Sequence, residues 1–420
     1  MPDHAERRPE GLRIVLISAY PPSRGANNEY GYHLVRHLRQ KPEIGEIIVL
    51  RDEAPGVGKG EVRDETIGAP LRIIPAWRLD ALNNAPRLVA AVRRHRPDLV
   101  FFNLDFPAFG SGKAAAALGL TTPALVHAAG YPTAALLHSI IEGVDLAKIG
   151  TATNPITAAA VRTFGTIVTR LILSIDMVAL TMPKYVEILR KKYRSENTFL
   201  APHGTFDPAP PPSFDPPPGP LRLFTFGKFG TYKTVEPLIE AYKLLIADGA
   251  RSLELVIGGV DSPNAPGYLA RVQERYRDTP GLIFTGYLAE EDVPRNFAAA
   301  GIVVLPYTST TGSSSVLHFA GQQGRPVVMP TIGDFADLII EQGYACESFT
   351  PGDAASLAGA IARLLDDPDR RRELGMRNWQ AATGLLLSDI ADWYLFHFEA
   401  ILARHKGARA RARRQSAATR

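Results

Sequence analysis

The stretch Leu221–Ala247, LRLFTFGKFGTYKTVEPLIEAYKLLIA, changes periodicity across one glycine bend, and its reading decides the fold. Leu221–Phe226 is short, apolar and aromatic, which predicts a buried strand. Val235–Ala247 places Leu238, Ile239, Tyr242 and Leu245 at helical spacing. Between them lies Gly227-Lys228-Phe229-Gly230-Thr231-Tyr232-Lys233. Strand, glycine turn and helix together make the repeating unit of a parallel α/β sheet, whose ligands sit at the carboxyl ends of the strands. Glycines let backbone N–H groups approach an anion, and the start of the following helix favours negative charge. Lys228 and Lys233 sit five positions apart and can converge on one diphosphate. The same spacing also fits a plain glycine turn with two solvated lysines, and spacing alone leaves both readings open.

Working outward from this stretch, the pattern recurs. Strands are expected at Leu253–Ile257, Leu282–Thr285, Ile302–Leu305 and Pro326–Met329, with helices at Pro266–Arg277, Glu291–Ala299, Ser315–Gln322, Phe335–Gln342 and Ala354–Leu365. Toward the amino end they are expected at Arg13–Ser18, Glu46–Leu50, Leu71–Pro75, Asp98–Phe102, Thr133–His138, Met177–Thr181 and Thr198–Ala201, and Pro183 opens a helix to about Tyr193. Between the halves, Pro202–Pro220 holds nine prolines in nineteen residues. Proline lacks the donor and fixes φ, so this run reads as a semi-rigid connector. The expected organisation is an α/β chain with a first domain over 1–205, a linker over 206–220 and a second domain over 221–385. A helix over 386–405 and a basic disordered tail over 406–420 follow. In the helix, Ile390, Trp393, Tyr394, Phe396, Phe398, Ile401 and Leu402 carry more apolar surface than one face needs, so burial is expected.

With 420 residues, 45% of them apolar and 21% charged, the chain is long enough for two cores and reads as globular. Its single cysteine, Cys346, permits no internal disulfide, which favours a reducing compartment, and it reads as a small buried residue. No apolar run resembles a signal peptide or a membrane span, so a soluble cytoplasmic protein is expected. The formal charge of +4 hides a tail, Arg404–Arg420, carrying +7, which leaves the rest near 4 − 7 = −3. No aromatic residue is interleaved in that tail to stack on bases, so no nucleic-acid partner is expected. A second basic cluster, Lys184, Arg190, Lys191, Lys192 and Arg194, lies on an amphipathic helix and fits either a solvated face or peripheral contact with the inner membrane face.

Two further segments carry chemistry. Thr308–Gly324, TSTTGSSSVLHFAGQQG, follows a core strand and supplies Thr311, Gly312, Ser313, Ser314 and Ser315 at a helix start. Hydroxyls and backbone donors there can hold phosphate or sugar, or can simply cap the helix. Tyr20–Asn28 follows the first strand and carries Gly25, which can cradle a phosphate or an acceptor hydroxyl.

In order and spacing these segments resemble glycosyltransferase family four, retaining enzymes of the GT-B fold, over roughly Leu12–His405. The resemblance rests on the strand, glycine loop and tyrosine-bearing helix of Arg13–Leu38, and on Gly227-Lys228 followed by Lys233. Pro202-His203-Gly204, Gly286-Tyr287, Leu305-Pro306-Tyr307 and Pro351-Gly352-Asp353 extend it. It implies two Rossmann-like domains with parallel sheets facing a central cleft, and a final helix returning to the first domain. It also implies a nucleotide-diphosphate sugar as donor, whose diphosphate meets Gly227, Lys228 and Lys233, with Lys228 in place of the family's arginine. Lysine lacks the bidentate fork of arginine. His138 resembles the histidine beside the reacting carbon. The implied activity is metal-independent hexosyl transfer to a glycan, lipid-linked or small-molecule hydroxyl, with retention and without a cofactor. One departure stands out. The family's two glutamates, eight positions apart, fall here on Thr311 and Phe319, so Ser313, Ser314, Ser315 and His318 or Gln322 are left to meet sugar, phosphate and ribose. Two other classes stay open: a nucleotide-sugar epimerase or hydrolase, which needs more cleft carboxylates, and a non-catalytic nucleotide-sugar-binding member.

Overall fold

The computed structural model describes residues 10–418 except 24–26, 54–57, 59, 107, 111, 144–154, 209, 248, 250, 263, 290 and 311. The chain divides into two units: Met1–Gly143 with Ala159–Pro202 and Leu387–Arg420, and Val144–Ala158 with His203–Leu386.

The first unit contains β1 (Leu12–Ile17), β2 (Ile44–Asp52), β3 (Val62–Asp64), β4 (Leu71–Trp77), β5 (Leu99–Leu104), β6 (Thr133–Leu137), β7 (Met177–Leu180) and β8 (Thr198–Leu200). Its helices are α1 (Asn28–Leu38), α2 (Asn84–His95), α3 (Lys113–Gly119), α4 (Thr122–Ala128), α5 (Pro155–Ile172, shared with the second unit) and α6 (Pro183–Tyr193). The sheet runs β3-β4-β2-β1-β5-β6-β7-β8, parallel except for β3 against β4. Its central strands are mostly apolar because helices cover both faces; all of β2, β5 and β6 is buried, polar residues such as Asp52 and Asn103 at the carboxyl ends included.

The second unit contains β9 (Leu221–Phe229), β10 (Leu253–Asp261), β11 (Leu282–Gly286), β12 (Ile302–Val304), β13 (Val327–Val328) and β14 (Cys346–Glu347), in the order β11-β10-β9-β12-β13-β14, all parallel. Around it lie α7 (Glu236–Ile246), α8 (Tyr268–Arg275), α9 (Val293–Ala298), α10 (Ser315–Gln322), α11 (Gly333–Gln342), α12 (Ala354–Asp366) and α13 (Pro368–Thr383). Leu223, Leu238, Ile239, Leu255, Ile302, Leu357 and Ile361 are fully buried in its core. In each sheet the strand order turns back on the first strand, between β1 and β5 and between β9 and β12. Such switch points leave a crevice at the carboxyl ends of the strands.

Four features differ from the sequence expectation. First, β9 extends three residues past Phe226, because Gly227, Lys228 and Phe229 pair with Gly259, Val260 and Asp261. A Cβ on Gly259 would lie 2.0 Å from the Gly227 carbonyl oxygen, so only glycine lets these strands stay in register there. Second, the proline-rich run, expected as a semi-rigid connector, is strapped to the second unit. Buried Arg325 donates to the carbonyls of Asp215 and Ser213 at 3.2 and 2.9 Å, Gln322 donates to that of Asp207 at 2.8 Å, and Phe214 meets the Trp379 ring. Third, the expected disordered tail is helix: α14 (Leu387–Ala418) is continuous, as suits an Ala- and Arg-rich segment of high helix propensity. Fourth, Phe396, expected to be buried, is 70% exposed. Trp393 is half-buried, whereas Tyr394 and Phe398 are buried as expected within the first unit, packing on Phe101 at 4.8 and 5.2 Å, and Lys41 pairs with Asp392. Cys346 is half-buried, with its thiol pushed up to about 11 by burial and by Glu347.

Candidate active site

At the switch point of the second unit, Lys233 and Tyr307 form an isolated antiparallel bridge that joins the loop after β9 to the segment after β12. The Thr308 N–H donates to the Tyr232 carbonyl at 2.9 Å and fastens the two segments again. This backbone pairing aims the Lys233 side chain. Its Nζ lies 4.6 Å from the Tyr307 ring centroid and 5.6 Å from that of Tyr232. Ammonium–ring contacts of this kind contribute about 0.5–2 kcal/mol each. Burial opposes the lysine charge and the two phenols support it; the balance raises its pKa above the ordinary lysine value. Lys233 is therefore an ammonium at neutral pH.

Gly227 faces that ammonium. A Cβ added there would be 3.7 Å from Tyr307 Oη and 3.9 Å from Lys233 Nζ, and its φ of 153° favours glycine. Lys228 sits on β9, half-buried, one residue beyond Gly227. An anion at this edge thus meets a held cation, a strand-borne lysine and glycine backbone.

The serine loop is built by other contacts. Gly312 N–H donates to Asp334 at 2.8 Å, and the Asp334 N–H donates to Thr310 Oγ1 at 2.9 Å, clamping the loop to the start of α11. Ser314 is the N-cap residue of α10 and Ser315 its first helical residue, so the first-turn N–H groups of α10 open at the same sheet edge. Thr311 lies outside the described residues, as does Gly25.

His318, expected to reach a ribose, is instead internal, 4% exposed, with both ring nitrogens engaged. Nδ1 faces the Tyr344 hydroxyl at 2.8 Å and Nε2 faces Ser313 Oγ at 3.3 Å, while His203 stacks on the ring at 4.9 Å. Burial first, and the neighbouring His203 second, depress its pKa well below the ordinary histidine value, so it stays neutral. The neutral ring bridges the Tyr344 hydroxyl on one nitrogen and the Ser313 hydroxyl on the other. His318 therefore orders the serine loop from beneath. Phe319, at the second glutamate position, is also core, packed on Phe206 and Phe297.

In the first unit, His138 closes β6 at the same kind of edge. Its Nε2 lies 2.7 Å from Asn103 Oδ1, and Asn103 Nδ2 donates to Ser18 Oγ at 2.9 Å and to the Asn27 carbonyl at 3.2 Å. With both amide hydrogens directed at oxygens, Oδ1 must accept, so Nε2 of His138 carries a proton. The Tyr30 ring meets the imidazole edge-on at 4.7 Å. Two carboxyls border this cluster, Asp52 hydrogen-bonded by Ser23 and Asp105 by Ser139. Burial is the largest influence on each and raises both above the usual carboxylate range. Sequence reading missed Asn103, although a lone amide inside an otherwise apolar buried strand is a visible signal.

Residues 220–367 match the family described as "Glycosyl transferases group 1". That stretch contains the whole Lys233 site. Over 156 residues the chain is 30% identical to an alpha-D-kanosaminyltransferase of Streptomyces kanamyceticus, covering 37% of this chain and 39% of that protein. Over 125 residues it is 29% identical to a 2-deoxystreptamine glucosyltransferase of the same organism, covering 29% and 31%. The matched stretches thus span between three and four tenths of these curated relatives. Among solved structures, sucrose-phosphate synthase from Thermosynechococcus elongatus aligns with a TM-score of 0.69 at 19% identity, over 94% of this chain and 100% of that one. Anabaena HepE in complex with UDP-glucose aligns at 0.65 with 16% identity, over 93% and 100%. Starch synthase IV of Arabidopsis thaliana, bound to ADP and acarbose, aligns at 0.61 with 13% identity, over 94% and 100%. These likenesses establish the fold: two parallel-sheet α/β units of the GT-B class.

Proposed function

We propose that the chain is a retaining glycosyltransferase that moves a sugar from a nucleoside-diphosphate sugar to a hydroxyl acceptor. The observation that carries this reading is the Lys233 ammonium, held over two tyrosine rings at the switch point of the second sheet beside Gly227. As the sugar–phosphate bond breaks, negative charge grows on the departing diphosphate. A cation already in place stabilises that charge without reorganising at the moment of reaction. Lys228 adds a second charge from β9, and the N–H groups opening α10 act as uncharged donors alongside Ser313, Ser314 and Ser315. For the first unit, the reading keeps His138 in the role the resemblance implies, with Asn103 fixing its ring.

UDP-sugars are the donors to test first, because a structurally similar protein is described with UDP-glucose; the ADP in another similar protein makes ADP-sugars the next choice. The local likeness to two aminoglycoside-type transferases favours a small polyhydroxylated acceptor over a lipid-linked glycan. The test is turnover of a UDP-, ADP- and GDP-sugar panel, with nucleoside diphosphate release as readout. Release from at least one donor supports the reading, and silence across the panel with folded protein contradicts it.

A non-catalytic reading draws on the buried positions of His318 and Phe319, which leave no side-chain carboxylate at the second glutamate position. It predicts nucleotide binding without turnover under any acceptor. The membrane contact considered for α6 belongs to the same proposal in weaker form, since Arg190 already donates to the Thr198 carbonyl and Lys192 already pairs with Glu142. Flotation of the intact protein with anionic liposomes decides it, and absence from the lipid fraction removes it.

A further inference from the structure

At the edge of the first sheet opposite its switch point, three side chains distant in sequence meet. His127 comes from α4, Asp176 from the turn that leads into β7, and His405 from α14. His405 Nε2 lies 2.9 Å from one Asp176 oxygen and His127 Nδ1 lies 3.2 Å from the other. One ligand-type atom from each residue lies within 4.8 Å of the others. We propose that these three residues form a binding site for a divalent transition cation of the zinc type, and that the bound ion ties α14 to the sheet of the first unit.

Four observations carry the inference. The ligand set is two imidazoles and one carboxylate, the borderline nitrogen–oxygen donors that zinc accepts. The three ligand atoms lie within 4.8 Å of one another, so small side-chain rotations bring them to the spacing of about 3.3 Å found between ligands about 2.0–2.1 Å from a tetrahedral zinc. The carboxylate is held in place by the Thr133 N–H, which donates to Asp176 Oδ2 at 2.9 Å and leaves Oδ1 facing His405, as outer partners of metal ligands do. Finally, His127 Nδ1 is buried and makes no well-formed hydrogen bond, although a carboxylate oxygen is close by. Its lone pair suits a cation better than the geometry suits a proton. Side-chain exposures of 31% for His127, 13% for Asp176 and 23% for His405 leave an entry path and room for water as the fourth ligand.

The site is separate from the Lys233 and His138 clusters, so it predicts a stabilising rather than a reacting ion. Its residues lie 49 and 229 positions apart in sequence, which is why no motif announces them. The test uses tag-free full-length protein stripped with a chelator and titrated with zinc chloride by calorimetry. Cobalt(II), followed by visible absorption, serves as a second probe. One ion per chain, intense cobalt bands of low coordination number, and a thermal midpoint raised by about 2–4 °C are expected. H405Q and D176N should each weaken zinc binding at least about 10-fold while circular dichroism shows an intact fold. H127Q, on a different helix, gives the same result if the three act together. Failure of the parent protein to bind zinc stoichiometrically, or binding unchanged in all three variants, overturns the proposal. The cluster is then a hydrogen-bonded His–Asp–His clasp.

Discussion

The two units repeat one architecture and fill its most reactive place with opposite chemistry. At the β9/β12 switch point stands a permanent cation, Lys233, caged by Tyr232 and Tyr307 and faced by glycine backbone. At the β1/β5 switch point stand an alcohol, an amide and an imidazole, Ser18, Asn103 and His138, bordered by two carboxyls that burial pushes toward their neutral forms. The fold supplies a crevice in both cases, and the side chains decide what it attracts. A cationic edge selects a polyanion, whereas an edge of neutral donors and acceptors suits hydroxyls. This division of labour is what a transfer between a diphosphate sugar and an alcohol requires.

The largest expected effect comes from breaking the cationic side. K233A should lower turnover about 10²–10³-fold, because it removes a preorganised charge from the leaving group; initial rates of nucleoside diphosphate release measure it. A loss under threefold would place the catalytic charge elsewhere. Disturbing the neutral side should act differently. H138A should reduce kcat about 10²-fold through lost positioning while leaving nucleoside diphosphate affinity nearly unchanged, and N103L should follow it with a smaller loss. Equal damage to nucleotide affinity in H138A would erase the contrast between the two edges. K228R sharpens the comparison from the other direction. Restoring a planar fork on β9 should preserve or tighten nucleotide binding, and weakened binding by calorimetry would show that Lys228 serves another purpose.

The smallest effect concerns stability. His318 is held neutral in the fold with its pKa depressed by burial. The unfolded chain takes up that proton as pH falls below about 6.5, whereas the folded ring does not. Stability contributed by this residue is therefore complete above about pH 6.5 and declines as pH falls from there toward the depressed folded value. The thermal midpoint of the parent protein should drop between pH 7.5 and 5.5, and H318Q should drop less. Parallel curves for the two proteins would contradict a buried neutral ring.

Much of this was legible in the sequence for a simple reason. Strands buried on both faces must be largely apolar, so β1, β5, β6, β7 and β12 stand out from their helices without any knowledge of pairing. The glycine bend with its two lysines was legible too, because Gly227 and Gly230 mark backbone that few other residues adopt. What periodicity did not carry was contact between distant positions. Nothing in the serine run says that His318 turns inward onto Tyr344 and His203, since a histidine one turn into a helix fits either face. Arg325 grips the proline-rich run through backbone carbonyls, a contact that leaves no mark in composition. The tail after His405 looked disordered by charge, yet its alanines and arginines favour helix once α14 has been nucleated upstream by packed aromatic rings. His127, Asp176 and His405 meet only because β6 and β7 start at the edge that α14 passes.

The central claim is that the Lys233 ammonium holds a nucleoside diphosphate at the carboxyl edge of β9. Calorimetric titration of UDP, ADP and GDP into the parent protein and K233A addresses it without requiring a known acceptor. The account predicts that at least one of the three binds the parent protein and binds K233A at least about 10-fold more weakly. Equal affinities in the two proteins, or no binding of any of the three to the parent, would contradict it.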